Sequence, residues 1–148
     1  MQSSNQNDLQ AKTDARLRVI RTLWSALFLS IGIYYVLTLF TGHPNVVPNR
    51  TVSIALAAAG SFFAIISIPI KQKYLTQSVT EQRVELVQTG YIIAWALTEV
   101  AALLGLLDHF IAGNRYYYVL FVIAAGGMLL NSPRRQHVLD ACFKSASF

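Results

Sequence analysis

The chain has 148 residues, of which 54% are hydrophobic and only 13% are charged. A soluble domain carries about a quarter charged residues, so these proportions favour a membrane protein over a soluble enzyme or a nucleic-acid-binding domain. The net charge is +5, but the basic residues lie between apolar segments, where they orient a membrane protein. The single cysteine, Cys142, excludes an intrachain disulfide.

Four apolar segments follow one another along the chain. The polar residues 1–18 come first, and we expect them to form a disordered cytoplasmic tail. The first apolar segment, 19–40, is too long for a signal peptide. The others cover residues 51–70, 88–107 and 115–130, and about 20 apolar residues are needed to cross a bilayer as a helix. The sequence therefore predicts an all-α, polytopic membrane protein with four transmembrane helices packed as a bundle.

The connector between the second and third segments is polar but not loop-like. Residues 71–89 contain no glycine or proline. We therefore expect both helices to continue past the bilayer and to meet in a turn near residues 77–81. Pro69 stands at the end of the second apolar segment, where it can terminate the membrane helix.

The transmembrane domain is predicted to end at residue 131, and an amphipathic cytoplasmic segment, 132–148, follows it. Ser132 is the expected N-cap and Pro133 the expected first helical residue of this segment. We predict a short helix that lies in the membrane surface.

The basic residues predict the orientation of the chain. Ten of the twelve lysines and arginines belong to the amino-terminal segment, the middle connector or the carboxyl-terminal segment, and only Arg50 and Arg115 belong to the two other connectors. Cytoplasmic segments carry the excess of basic residues. We therefore expect a multi-pass protein, of the bacterial inner membrane, with both termini in the cytoplasm.

Small side chains occur four residues apart in the second segment and in a cluster in the fourth. Small residues let helix backbones approach closely in lipid, so we expect these positions to lie at helix contacts. The predicted packing residues are Ala55, Ala59, Gly60, Ser61, Gly126 and Gly127.

Glu99 is the candidate proton- or ion-binding residue. It lies about eleven residues, or roughly 17 Å, from the start of the third segment at Gln88, near the middle of the bilayer. A carboxylate at that depth is costly unless it is protonated, paired or turned toward a polar cavity. Glu99 therefore either exchanges protons or is a protonated group that hydrogen-bonds another helix. Thr98 is its neighbour in the chain, and the expected partners are Ser61, Ser67, Tyr34 and Tyr35.

The stretch from Tyr91 to Leu107, with Ala-Leu-Thr-Glu at its centre, resembles the second helix of the c subunit of rotary ATP synthases. The resemblance extends over residues 51–107, including the small-residue helix and the polar connector. It implies that Glu99 is the ion-binding carboxylate. The chain departs from that family in its additional apolar segments, and Lys71-Gln-Lys73 does not reproduce the family's connector motif.

A second polar group stands at the other end of the third segment. Asp108 and His109 lie next to a short turn that leads to Arg115. An acid beside an imidazole can relay protons or, together with His43, contribute to a metal site. Three histidines, of which His137 is on the opposite side, are too few for a metal site, so we expect a polar cap in which Asp108 and Arg115 pair at the surface.

No nucleophile set, cofactor motif or metal set is visible, so we expect neither an enzyme nor a bound cofactor. The sequence favours a structural or accessory membrane protein, a small subunit of a larger complex. Its expected partners are the lipid bilayer and other membrane subunits or further copies of the chain, with no nucleic acid. A proton- or ion-translocating element built on Glu99 is the alternative.

Overall fold

The computed structural model describes the backbone of residues 2–42 and 47–137, and the side chains from Asp14 onward within those ranges. This part of the chain is helical and has no strand. Its helices are α1 (Gln2–Thr41), α2 (Arg50–Glu81), α3 (Val84–Phe110) and α4 (Tyr118–Leu130).

Three of these helices are long and apolar enough to cross a membrane: Asp14–Thr41 within α1, all of α2 and all of α3. The prediction of an all-α fold is therefore confirmed, and the three candidate spans are consistent with a multi-pass membrane protein. Helix α4 is apolar but has only 13 residues. It measures about 20 Å at 1.5 Å per residue, shorter than a hydrocarbon core of about 30 Å. The described residues therefore contain no fourth helix long enough to span a membrane by itself.

Helix α1 begins much earlier than the sequence indicated. It starts at Gln2, so the segment expected to be a disordered tail is helical in backbone. The first glycine of the chain is Gly32, and no proline precedes it, so nothing in the tail breaks a helix once residues such as Ala11 and Ala15 continue it. The polarity of the tail was misread as disorder.

Helix α2 continues through Pro69 to Glu81, so the proline does not end it. The side chain of Pro69 is exposed, and proline is tolerated inside membrane helices more readily than in soluble ones. The predicted turn exists but lies slightly later, at residues 82–83. Gln82 adopts the left-handed conformation (φ 54°), and its N–H donates to the Ser78 carbonyl, which also accepts from the Arg83 N–H.

Helix α3 lies at the centre of the molecule. It forms an antiparallel hairpin with α2 and also contacts α1 and α4. Its inward face is fully buried and includes Val87, Tyr91, Trp95 and Ala101. Helix α1 packs less completely and is tied to α4 where the Trp24 indole donates to the Met128 carbonyl at 3.0 Å.

The predicted small-residue contacts are observed only in part. A Cβ at Gly60 would meet Leu120 at 2.7 Å, and one at Gly127 would meet Thr98 at 2.9 Å. A Cβ at Gly126 would have no described neighbour within 4 Å, because this residue points away from α3. Ala55 is exposed, whereas Ala59 and Ser61 are half-buried.

Two close contacts were not predicted. A Cβ at Gly90 would lie 2.7 Å from the Tyr74 Cβ, and one at Gly105 would lie 3.0 Å from the Leu120 Cβ. Both glycines belong to α3, whereas the predicted packing residues all belong to α2 and α4.

The carboxyl-terminal helix does not start where the caps indicated. Residues 132–134 are not helical, and helical backbone begins at Arg135. The N-cap role expected of Ser132 and the first-turn role expected of Pro133 are therefore wrong. Residues 138–148, which include Cys142, lie outside the described part of the chain, as does His43.

Candidate functional site

Glu99 joins α3 to α1. The Ser30 hydroxyl lies 2.8 Å from Glu99 Oε1, and the Tyr34 hydroxyl donates to the same oxygen at 3.2 Å. Ser30 and Tyr34 are four residues apart and so lie on one face of α1. The carboxyl is half-buried between the two helices. The arrangement can hold the helices together, and it can also hold a proton.

Of the partners expected for Glu99, only Tyr34 makes the contact, and Ser30 was missed. The Tyr35 ring packs edge-on against Phe121 instead, at 5.7 Å between ring centroids. The i, i+4 spacing of Ser30 and Tyr34 was the signal available in the sequence, since two polar side chains on one face of an apolar helix can share a partner on another helix.

Thr98 and Ser67 belong to a second polar group, where α2, α3 and the end of α4 meet. The Asn131 amide nitrogen donates to Ser67 Oγ at 3.0 Å, and Thr98 Oγ1 lies 3.5 Å from the same oxygen. The Trp95 indole donates to the Asn131 carbonyl at 2.9 Å. All four residues are fully buried. This inner polar cluster fixes the end of α4 against α2 and α3.

The inner polar cluster has one unmatched atom. Among the residues that the structure describes, no donor reaches the side-chain oxygen Oδ1 of Asn131. The sequence predicts that Asn131 ends the transmembrane domain. Its position directly after an apolar run is compatible with either a surface residue or a buried one, so the sequence contains no signal that it faces inward.

Lys71 and Tyr91 extend this polar region toward the 82–83 turn. The Lys71 ammonium donates to the Leu130 carbonyl at 3.3 Å, which caps the last turn of α4, and it lies 5.7 Å from the Tyr91 ring centroid. The Tyr91 hydroxyl is 2.6 Å from His137 Nδ1 and accepts from the Arg134 N–H. Burial of Lys71 was not predicted from the sequence. It is possible because the aliphatic part of the side chain packs against its neighbours while the ammonium group bonds the carboxyl end of α4.

The outer polar group is buried and not a surface cap. Asp108 and His109 are 1% and 2% exposed. The Asn114 amide nitrogen lies 2.6 Å from Asp108 Oδ2 and 2.6 Å from Ser53 Oγ, so it joins the α3–α4 connector to α2. The His109 ring lies 4.4 Å from the Tyr117 ring, between centroids.

The expected surface pair between Asp108 and Arg115 is wrong. The ion pairs observed among the described side chains are Arg16–Glu85, Arg83–Glu81 and Arg135–Asp14, and Arg115 is exposed. The carboxylate of Asp108 faces inward because the connector folds back over the end of α3, so that the side-chain amide of Asn114 contacts it. Within the described ranges, no group of three or more His, Cys, Asp or Glu side chains could hold a metal ion.

These features describe an all-helical protein with three candidate membrane-spanning helices and three polar centres between its helices. Comparisons with protein-family models, curated proteins and solved structures find no significant match to this chain. The function therefore has to be argued from the polar centres and the exposed surfaces.

Proposed function

We propose that this chain is an accessory subunit of a larger membrane assembly. In this proposal its four apolar helices insert as a bundle, both termini face the cytoplasm, and the outer end of the bundle contacts a partner subunit. The charge distribution along the sequence supports the orientation, because ten of twelve basic residues belong to segments on one side.

The observation that carries the proposal is the exposed connector at the outer end. Helix α4 runs antiparallel to α3 with Leu120 beside Gly105, so the irregular connector 111–117 lies level with the last turn of α3, at the outer boundary of the predicted bundle. Irregular backbone that meets the bilayer is tolerated where protein covers it. Ile111 and Tyr116 in this connector are 57% and 65% exposed, so the described chain does not cover it.

A crevice of about 510 Å³ adjoins this connector. It lies between the start of α2, including Asn49 and Ile54, and the connector residues Ala112 and Tyr116. The Asn49 N–H donates to the Ala112 carbonyl at 3.0 Å and closes the bottom of the crevice. Its lining combines apolar side chains such as Ile54 with the exposed Tyr116, a composition that suits contact with a protein segment.

Site-specific crosslinking tests the proposal. A photo-crosslinking side chain at Tyr116 should yield one discrete product with another polypeptide in native membranes, and that polypeptide should coelute with the chain after gentle detergent extraction. Ile65 is the matched control, because it is 68% exposed on α2 and should contact lipid. A monomeric chain without a crosslinked product at Tyr116 would refute the proposal. A product with twice the mass of the chain would show that the partner is a second copy of the same chain.

Glu99 supports a second candidate, a proton- or ion-translocating element similar to the c subunit of rotary ATP synthases. The specific observation is that both of its hydroxyl partners approach one carboxyl oxygen, Oε1, while the side chain is only half-buried. In this candidate, carbodiimide should modify Glu99 in a pH-dependent way, and Glu99→Gln should fold normally but abolish ion movement in liposomes. If the chain is instead an accessory subunit, Glu99→Gln should still assemble with its partner subunit.

A further inference from the structure

A basic pocket lies beside the first helix, just before its apolar part begins. It encloses about 660 Å³ and is lined by Arg18, Arg21 and Thr22 of α1 together with Asp14 and Arg135. Three guanidinium groups and one carboxylate give this pocket a net positive charge. A volume of this size is in the range of ligand pockets, roughly 300–1,000 Å³.

The arginines of the basic pocket are available for a ligand. Among the described side chains, the observed ion pairs do not include Arg18 or Arg21. Arg135 contacts Asp14 at 3.4 Å, but both side chains are more than half exposed, so this pair is weak. The hydroxyl of Thr22 donates back to the Arg18 carbonyl, which leaves the guanidinium groups as the donors in the pocket.

An apolar groove continues from the basic pocket along the same helix. It encloses about 280 Å³ between α1 and α4 and is lined by Phe28, Gly32 and Tyr35 on one side and by Phe121 and Ala125 on the other. A Cβ at Gly32 would have no described neighbour within 4 Å, so the groove is open at its centre.

The pocket and the groove occupy one face of α1. Residues 14, 18, 21, 25, 28, 32 and 35 line them in turn, at steps of three and four, which is the spacing of a single helix face. Arg21 and Tyr35 are separated by about 21 Å along the helix axis. One leaflet of a bilayer, headgroup included, is about 20–22 Å thick, half of the total of about 40–45 Å.

We propose that this face of α1 binds one anionic phospholipid. The headgroup phosphate lies in the basic pocket, and an acyl chain lies in the groove beside Gly32. Charge and length both match: arginines at the level where the apolar helix begins attract an anionic headgroup, and the pocket and the groove together extend over the depth of one leaflet. The inference concerns α1 and α4 and is independent of the outer crevice and its partner.

Lipid binding to the purified full-length protein tests this proposal. Native mass spectrometry should show retention of phosphatidylglycerol over phosphatidylcholine with the same acyl chains. Each arginine near a headgroup contributes about a factor of five, so Arg18→Gln combined with Arg21→Gln should reduce this preference by about 30-fold. The matched control, Arg50→Gln with Arg115→Gln, removes the same charge from the opposite end and should leave the preference unchanged.

The groove has its own test, which separates a lipid from a free phosphate. Gly32→Leu fills the groove and should weaken phosphatidylglycerol binding, whereas Gly126→Leu, at an equally open glycine outside the groove, should not. Thermal unfolding without lipid checks that each variant is folded. Equal retention of both lipids, or complete displacement of phosphatidylglycerol by inorganic phosphate, would overturn the proposal; unaltered binding to Gly32→Leu would exclude the acyl-chain part.

Discussion

Two adjacent glycines of α4 differ in what surrounds them. A Cβ at Gly127 would lie 2.9 Å from Thr98 Cγ2, in a side chain that is fully buried and whose hydroxyl donates to the Ala94 carbonyl at 2.8 Å. Thr98 cannot move away cheaply. A Cβ at Gly126 would meet open space.

We therefore predict opposite effects of the same substitution at these positions. Gly127→Ala should lower the free energy of unfolding by about 1–3 kcal/mol through overpacking. Gly126→Ala should leave it unchanged or raise it by up to about 1 kcal/mol, because alanine favours the helix. Thermal unfolding in one detergent measures both. Equal stability of the two variants would mean that α4 is rotated relative to the contacts observed.

The hydrogen bonds around Ser30 predict the protonation state of Glu99. The Ser30 hydroxyl has one proton but two acceptors, the Leu27 carbonyl at 2.7 Å and Glu99 Oε1 at 2.8 Å. If the proton goes to Leu27, the contact with Glu99 is favourable only when the carboxyl itself donates to Ser30. A neutral carboxyl also avoids the cost of a charge near the bilayer centre.

We expect Glu99 to be protonated at pH 7. Infrared spectra should contain a protonated carboxyl C=O band that disappears in Glu99→Gln. Glutamine retains a donor and an acceptor, so this variant should unfold within about 1 kcal/mol of the parent protein. Glu85→Gln, at an exposed acid on the same helix, is the control and should leave the band in place. A carboxylate band assigned to Glu99 at neutral pH would contradict the prediction.

The residue-scale contacts could be predicted only where the helix spacing determines them. The sequence identifies Glu99 as an acid within an apolar helix, and Tyr34 as one possible partner. It does not reveal that Ser67, Thr98 and Asn131 meet, because three different helices contribute them. Their meeting depends on how α2, α3 and α4 cross, and crossing geometry follows from side-chain packing over many residues.

At the scale of the elements, the turn between α2 and α3 carries strain. Gln82 has a φ of 54°, a conformation that costs a residue with a Cβ about 1–2 kcal/mol and costs glycine little. Gln82→Gly should therefore raise the free energy of unfolding, by up to about 1 kcal/mol once the greater chain entropy of glycine is subtracted. Gln82→Ala keeps the Cβ and should give no such gain. Chemical or thermal unfolding in detergent measures both, and a destabilised Gln82→Gly would mean that the side chain of Gln82 supports the turn.

The elements themselves could be predicted well where composition determines them and poorly at their ends. Apolar length identified α1, α2 and α3 correctly. The start of α1 and the passage of α2 through Pro69 were missed, since neither polarity nor a single proline decides where a helix ends when neighbouring turns already form. The length of α4 was overestimated because Arg115 to Tyr117 form a turn around Asn114, whose side-chain oxygen accepts from the Tyr116 N–H.

At the scale of the whole molecule, the chain after α4 returns to the end of the bundle where α2 and α3 meet. Trp95 donates to the Asn131 carbonyl, and Tyr91 contacts His137, so residues 131–137 lie beside the first half of α3. The turn at residues 82–83 stands at the same end. Gln136 and Gln77 are both exposed there, whereas Tyr116 is exposed at the opposite end.

This geometry makes the topology testable with three single cysteines in a Cys142→Ser background. If α4 completes the fourth crossing with its connector, an impermeant maleimide added to intact cells should label Tyr116→Cys, and should label Gln77→Cys and Gln136→Cys only after permeabilisation. The segments around Gln77 and Gln136 carry the excess of basic residues. We therefore place them on the cytoplasmic side, where such segments stay. Labelling of Gln77→Cys and Gln136→Cys from outside would invert the whole protein. Labelling of Gln136→Cys alone would separate it from Gln77 across the membrane and contradict the contacts that join residues 131–137 to α3.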